Sequence, residues 1–212
     1  MTIFRPILLL LQVGAFAQDA AENPWLSKRR DAFQYQDPTS WLSKSFILLK
    51  ATQIAWHEYN SMCLQTEFID QSDKGFHHKV YYSSITESRP ERGTHGTYGE
   101  HQLDILIKVK KPASSQPKIK IKEQGKRASG TLPLSTDNAY PVLYADPGCI
   151  ILGAFETSHG QPPCMMWVPV DSIEDTPRQC NFIFLALCGT PVLNVYTKEK
   201  DLCEGLRRLK ES

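Results

Sequence analysis

The sequence ILIKVKKPASSQPKIKIK, residues 105–122, decides the fold class of this chain. Isoleucine and valine take every second position in residues 105–110, and isoleucines alternate with lysines in residues 118–122. A period of two places the β-branched residues on one strand face and the lysines, with Leu106, on the other. Residues 112–117 provide the connection. The stretch therefore predicts an antiparallel hairpin with one buried face and one wet face.

Several other runs have the same strand-like character. They are short and either apolar or alternating, and turn-forming residues such as Asp73–Gly75 and Asp146–Gly148 separate them. The runs cover residues 45–52, 62–68, 79–83, 140–143, 149–154 and 165–168. Many short antiparallel strands in one chain predict a mainly β protein, either a barrel or a sandwich.

One segment near the C-terminus has helical character instead. Acidic residues near its start and Gly189 at its end are typical helix signals. Pro177 could interrupt the helix in its first turn. Its apolar stripe consists of Ile173, Cys180, Phe184 and Cys188. We expect a helix over about 171–188, an extended segment over 194–197 and a frayed, charged tail over 204–212.

The first 17 residues are typical of an export signal. Arg5 precedes the apolar run Ile7–Val13, and Ala15–Ala17 gives small residues where a signal peptidase cleaves. The apolar run is much shorter than the roughly 20 residues of a membrane-spanning helix. We therefore predict a signal peptide over residues 1–17, a secreted mature chain and no membrane insertion.

The mature chain has the length of one domain of about 195 residues. Its first part, 18–44, predicts a polar arm with a short helix, in which Trp25, Phe33 and Trp41 provide an aromatic side. The remainder, 45–212, predicts one β domain with the C-terminal helix and a tail held by disulfides.

Charge and cysteine content narrow the function classes. Removal of residues 1–17 takes Arg5 and no acid from a chain of formal charge +1, so the mature chain is neutral. A neutral chain lacks the basic surplus that nucleic-acid binding requires. Six cysteines without a C-x-x-C pair indicate a disulfide framework in an extracellular protein, with 15 possible pairings.

Other features favour structural over chemical interpretations. The lysines between Lys108 and Arg127 fit a heparin-like acidic partner or, as we favour, a soluble outer face with a protected edge. The spacing of the histidines fits no structural zinc site, so we expect loop histidines at turns, namely His77, His78, His95 and His101. The chain lacks the G-x-S-x-G, H-E-x-x-H and P-loop motifs. We therefore expect no enzymatic activity, no metal and no cofactor.

Longer motifs indicate a family. Cys164–Pro169 (CMMWVP) precedes a helix with Cys180, a Cys188-Gly189 pair, Tyr196 and Cys203, and YADPGC (144–149) and FILLKAT (46–52) lie upstream. This order resembles that of the tick salivary histamine-binding lipocalins over most of the mature chain. The resemblance implies an eight-stranded antiparallel lipocalin barrel with a C-terminal α-helix packed on the outside and a short N-terminal helix. It also implies the disulfide pairs Cys63–Cys203, Cys149–Cys180 and Cys164–Cys188.

The same resemblance locates a candidate ligand pocket. Amine binders of the family hold a buried ammonium with carboxylates, because such a charge must be paired. In this chain the three corresponding positions carry Tyr140, Ile150 and Met165, and Gln53 replaces a family tyrosine. The remaining candidate acids on or beside strands are Glu67, Asp104 and Glu156. The predicted pocket residues are Gln53, Trp56, Tyr140, Ile150, Met165 and Trp167, although Trp56 equally fits an ordinary loop.

The missing carboxylates favour a lipid-like ligand such as a fatty acid, an eicosanoid or a sterol. Two alternatives remain: a biogenic amine such as histamine or serotonin, and a barrel that serves as a scaffold for binding a host immune protein. The resemblance implies a saliva protein that captures a host molecule stoichiometrically and dampens inflammation or immune defence. We expect a secreted monomer.

Overall fold

The structure is a computed structural model and describes residues 36–52, 55, 61–87, 96–111, 116–125, 134–154 and 161–211. The predicted signal peptide and the first part of the arm, with Trp25 and Phe33, lie outside the described residues. Eight strands come first: β1 (Phe46–Thr52), β2 (Met62–Ser72), β3 (Gly75–Glu87), β4 (Gly96–Lys110), β5 (Lys118–Gln124), β6 (Ala139–Asp146), β7 (Cys149–Gly153) and β8 (Cys164–Pro169). After them come a 3-10 helix (Val170–Asp175), helix α1 (Arg178–Leu187), strand β9 (Val192–Leu193) and helix α2 (Val195–Glu211).

The eight long strands close into one antiparallel barrel. Each strand from β2 to β7 pairs with the next one along the chain, and β1 closes the ring by pairing with β8 on one side and β2 on the other. The short strand β9 adds to β1 outside this ring, where Thr52 faces Val192. The predicted barrel is therefore confirmed, and the sandwich alternative is wrong.

The hairpin that decides the fold class forms as predicted. Strands β4 and β5 pair antiparallel, with Ile107 opposite Ile121 and Lys108 opposite Lys120. Ile107 and Ile121 are buried, whereas Lys108 and Lys120 are exposed. Both strands have partners in the closed ring, although the pairing of β5 with β6 covers only Lys118 to Lys120.

The barrel wall separates two apolar cores. The inner core lies inside the barrel and includes Phe46, Leu48, Leu64, Val80, Leu103, Ile105, Ile119, Ile150, Met165 and Trp167. The outer core lies between the wall and helix α1 and includes Ile47, Leu49, Leu143, Ile151, Met166, Val168, Phe184 and four cysteines. Strands β7 and β8 contribute to both cores, which explains why every residue in them is buried.

The described part of the arm covers one end of the barrel. The amide groups of Trp41 and Leu42 both donate to the carbonyl of Pro38, which makes a single turn in the region where a short helix is predicted. Trp41 and Leu42 are buried in the inner core, and a Lys111–Asp37 ion pair of 2.6 Å ties the turn to the chain after β4. We call this end of the barrel the arm end. We call the opposite end, where β1, β3, β5 and β7 finish, the far end.

The predicted helix over about 171–188 is two elements. The 3-10 helix ends at Asp175, and α1 begins at Arg178 after the extended residues Thr176 and Pro177. A proline disfavours the helical conformation of the residue before it, which accounts for the break at Thr176. The apolar stripe is confirmed in α1, where Cys180 and Phe184 are buried.

The predictions of an extended segment at 194–197 and a frayed tail at 204–212 are wrong. Residues 195–211 form α2 because tertiary contacts hold it: Val195 is buried, and Glu199 accepts the amide of Cys63 at 2.7 Å. Lys200 also pairs with Glu174 of the 3-10 helix at 2.6 Å. Such contacts stabilise a helix more than propensity does. Within the described residues, no helix has the length and apolarity that crossing a membrane requires.

Three disulfides attach the helices to the barrel. Cys63–Cys203 joins β2 to α2, Cys149–Cys180 joins β7 to α1, and Cys164–Cys188 joins β8 to the residue after α1. This is the pairing that the family resemblance implies. The described part of the chain has no free cysteine.

The expectation that the histidines lie in loops is wrong for three of the four. His77 and His78 lie within β3, and His101 lies within β4; His95 falls outside the described residues. The alternation of β3 places His77 on the outer face and His78 inside the barrel between buried Phe76 and Val80.

Candidate ligand-binding site

Four of the six predicted pocket residues meet in the inner core. Tyr140, Ile150, Met165 and Trp167 are exposed by 3%, 0%, 2% and 2%, respectively. They come from three consecutive strands, β6 to β8. Each faces the barrel axis because alternate residues of a strand point into the barrel. The other two, Gln53 and Trp56, lie outside the described residues.

Tyr140, Ile150 and Met165, the positions where the family resemblance implies acids in amine binders, are uncharged side chains. Ile150 faces Trp167 across the β7–β8 pair, and Met165 faces Leu152. The Tyr140 hydroxyl donates to the carbonyl of Ser135 at 3.2 Å, and burial raises the pKa of Tyr140 to about 12. This part of the barrel wall therefore presents apolar or uncharged groups to a ligand.

Two of the three remaining candidate acids lie on the outside of the barrel. Glu67 is exposed and accepts a hydrogen bond from the Tyr81 hydroxyl at 2.7 Å. Asp104 is half exposed and lies 3.4 Å from His77 on the outer face. The third, Glu156, falls outside the described residues. Neither outer carboxylate can pair a cation inside the barrel.

One acid that sequence analysis missed lies at the far end. Glu123 shares the strand face of the inner-core residues Ile119 and Ile121 and is partly exposed. Burial, followed by the negative charge of Glu123, raises the pKa of the inner-core residue Tyr82. Extending the alternation of residues 118–122 by one position would have predicted this inward direction.

The inner core contains one buried histidine near the arm end. His78 is fully buried, and its Nε2 lies 2.8 Å from the carbonyl oxygen of Leu42. Burial lowers the pKa of His78 to about 4, so the ring is neutral at physiological pH. A neutral ring adds hydrogen-bonding capacity to the interior without adding charge.

The described residues line two clefts at the barrel wall. A cleft of about 150 Å³ lies among β1–β4, the 3-10 helix and α2, and this volume is below that of typical ligand pockets. A second cleft of about 460 Å³ lies where β5 extends beyond its pairing with β6. Inner-core and outer-face residues both line the second cleft: Ile121, Glu123, Thr136, Lys108, Lys120 and Lys122.

Within the described part of the chain, two groups of cysteine and acidic side chains lie close enough together to be metal ligands. One is Cys63, Glu199 and Cys203, and the other is Asp146, Cys149 and Cys180. The sulfur atoms of both groups are joined in disulfides, so they are not the thiolates that bind zinc. Asp146 also accepts the amides of Gly148 and Cys149 and therefore closes a turn.

The closed eight-stranded barrel, its apolar interior and the disulfide-bound helices define a lipocalin, a class whose barrels hold one small ligand. The chain belongs to the tick histamine binding protein family, whose profile matches residues 26–204. Among solved structures it is similar to Japanin from Rhipicephalus appendiculatus bound to cholesterol, with 15% sequence identity and a TM-score of 0.48. That similarity covers 72% of this chain and 91% of Japanin. No curated protein matches the chain.

Proposed function

We propose that this lipocalin captures a lipid-like host molecule in its barrel, such as a fatty acid, an eicosanoid or a sterol. It acts by stoichiometric sequestration and thereby dampens inflammatory or immune defence. The observation that carries this proposal is the uncharged inner core, which includes Tyr140, Ile150 and Met165, the residues that the family resemblance aligns with the acids of amine binders. Glu67 and Asp104 lie outside and do not compensate.

The physical reason is the cost of burying charge. An ammonium group that enters an apolar interior loses its hydration and needs a paired carboxylate to recover the free energy. An apolar chain or ring gains about 25 cal/mol per Å² of surface removed from water. Met165 adds an adaptable side chain that packs against ligands of irregular shape.

Native mass spectrometry of the purified mature protein tests this proposal. We expect a co-purifying lipid, or a 1:1 complex after incubation with oleic acid, arachidonic acid or cholesterol. If none of the three lipids binds while a host immune protein does, the barrel is a scaffold and the proposal is wrong.

A matched pair of variants locates the binding site. Met165→Glu puts a carboxylate in the inner core, whereas Lys120→Glu puts one on the outer face. We expect Met165→Glu to weaken binding of the lipid by about tenfold or more, because the carboxylate must be dehydrated or protonated. Lys120→Glu should bind as the wild type does. Equal effects of the two variants would place the lipid elsewhere.

Amine capture is a second candidate because Glu123 lies on the inward face at the far end. The Glu123 carboxylate, which acts on Tyr82, is the group on the inward strand face that could pair with an ammonium. Titration with histamine or serotonin, repeated with Glu123→Gln, distinguishes the two candidates. Saturable amine binding that disappears in Glu123→Gln would support amine capture.

We also propose that the chain is secreted as a monomer after removal of residues 1–17. Three disulfides fit an oxidising compartment outside the cell. Intact mass and N-terminal sequencing of protein secreted from insect cells should give a mature N-terminus close to Gln18, and gel filtration should give one chain. Retention of residues 1–17 would contradict the proposal.

A further inference from the structure

Six buried side-chain polar atoms have no hydrogen-bond partner within the described residues, and the amide oxygens of Gln36 and Gln116 are two of them. The other four lie on residues near the arm end. They are His78 Nδ1, Thr66 Oγ1, Trp41 Nε1 and Trp167 Nε1. The four residues are exposed by 0%, 2%, 2% and 2%, respectively. Buried polar groups in proteins are normally paired, so these atoms have hydrogen-bonding capacity that the described residues leave unused.

These four residues share one neighbour, Phe46. The Phe46 ring lies 4.3 Å from the ring of Trp41, 5.0 Å from His78 and 5.5 Å from Trp167, measured between centroids. Thr66 is directly opposite Phe46 in the β1–β2 register. We call the surroundings of Phe46 that these four residues form the polar recess.

The hydrogen-bonding capacity of the polar recess is specific. The carbonyl of Leu42 only accepts, so the Nε2 atom of His78 donates to it, and the Nδ1 atom of the neutral ring is an acceptor. The two indole N–H groups only donate, and the threonine hydroxyl does both. The recess therefore presents donors and an acceptor but no charge.

A hydroxyl group matches this set best. It donates its proton to His78 Nδ1 and accepts a hydrogen bond from an indole N–H or from Thr66. An ammonium has no lone pair for the indoles, and a carboxylate has no proton for His78. An ether oxygen satisfies the indoles but leaves the histidine acceptor unpaired.

We propose that the polar recess binds the hydroxyl group of a neutral lipid alcohol whose apolar body lies in the inner core. This inference rests on the proposed function and narrows the ligand class from lipids in general to sterols and fatty alcohols. It assigns Thr66 and His78 to ligand selection, and neither belongs to the predicted pocket residues.

The test compares an alcohol with its methyl ether. Isothermal titration of the wild-type protein measures how much the hydroxyl group contributes to affinity. The ligands are 1-dodecanol, 1-methoxydodecane and dodecylamine, together with cholesterol and cholesteryl methyl ether. We expect each alcohol to bind about tenfold more tightly than its ether, since one well-made hydrogen bond is worth about that factor. Dodecylamine should bind less tightly than dodecanol.

Two variants assign that preference to the polar recess. Thr66→Val keeps the shape of the side chain and His78→Leu removes the acceptor, whereas Leu152→Val alters the inner core away from the recess. The preference for alcohol should shrink in the first two variants and persist in the third. If a variant fails to fold, the wild-type comparison still decides.

Two outcomes overturn the inference and differ in what they leave standing. Equal binding of alcohols and ethers, or a preference unchanged in both recess variants, refutes the polar recess and leaves lipid capture intact. Failure of every lipid to bind refutes the proposed function and the recess together.

Discussion

The two cores of this protein share the strands β7 and β8 but differ in chemistry. The outer core is apolar and contains two disulfides, Cys149–Cys180 and Cys164–Cys188. The inner core is larger, contains no disulfide and includes the four unpaired polar atoms around Phe46. One face of each strand is therefore built for attachment of α1, and the other face has hydrogen-bonding capacity left for a ligand.

We therefore assign stability mainly to the outer core and ligand binding to the inner core. Disulfides in the outer core restrict the unfolded chain and do not touch the barrel interior. Unpaired polar groups in the inner core cost stability, and natural proteins retain such groups mainly at functional sites. Substitutions on the two faces should therefore separate loss of stability from loss of binding.

Removal of the Cys149–Cys180 disulfide should strongly lower the free energy of unfolding. Its sequence separation is 31, and the chain-entropy account gives a loss of about 4 kcal/mol in the free energy of unfolding. Urea denaturation of the double variant Cys149→Ser, Cys180→Ser measures this loss. The folded variant should bind lipid with wild-type affinity, and a weakened affinity would contradict the separation of the two cores.

Adjacent methionines provide a matched comparison. Met165 lies in the inner core and Met166 in the outer core, and both are buried. Each substitution by alanine should lower the free energy of unfolding by about 2 to 5 kcal/mol, because each leaves a cavity. Only Met165→Ala should change lipid affinity in titrations under folding conditions. An equal change in Met166→Ala would show that α1 takes part in binding.

The inner core should also make stability depend on pH. The pKa of His78 is about 4 in the folded chain, against an ordinary value of 6.5. Below pH 6.5, His78 is protonated in the unfolded chain but stays neutral in the folded chain. The free energy of unfolding therefore falls as the pH decreases toward 4. The full loss is about 3 kcal/mol. Urea denaturation between pH 7 and pH 4 should show this loss in the wild type and a smaller one in His78→Gln; identical profiles would refute burial of a neutral histidine.

Outer carboxylates should have the smallest effects. Glu67→Gln replaces the charged acceptor of the Tyr81 hydroxyl by a neutral one, and Asp104→Asn removes the negative charge beside His77, both on the outer face. Exposed substitutions of this kind change the free energy of unfolding by about 0.5 kcal/mol or less. Neither variant should change the affinity for histamine or lipid. A large loss of amine binding in Glu67→Gln would mean that this carboxylate reaches a ligand.

The fold followed from local alternation. Residues 105–110 and 118–122 show the two faces of a strand directly, because isoleucine and lysine differ so strongly in hydration. The inward direction of Ile150, Met165 and Trp167 came instead from the family resemblance, since strands buried on both faces show no alternation. The disulfide pairing came from the resemblance as well.

Other parts of the site and fold depend on contacts between distant residues. The histidine pair in β3 carried no signal for its environment until the strand placed His78 inside and Leu42 arrived from the arm, 36 residues earlier. Helix α2 forms where its sequence suggested an extended segment and a frayed tail, because Cys203 bonds to Cys63 and Val195 is buried. Glu123 was missed because the lysine-rich strand extends further than predicted.

Calorimetric titration of the wild-type protein with cholesterol and with histamine, under identical conditions, tests whether the inner core binds a neutral lipid in preference to an amine. A neutral inner core predicts saturable 1:1 binding of cholesterol, with a negative heat-capacity change from apolar burial, and no saturation by histamine. Saturable histamine binding together with no cholesterol binding would contradict this account.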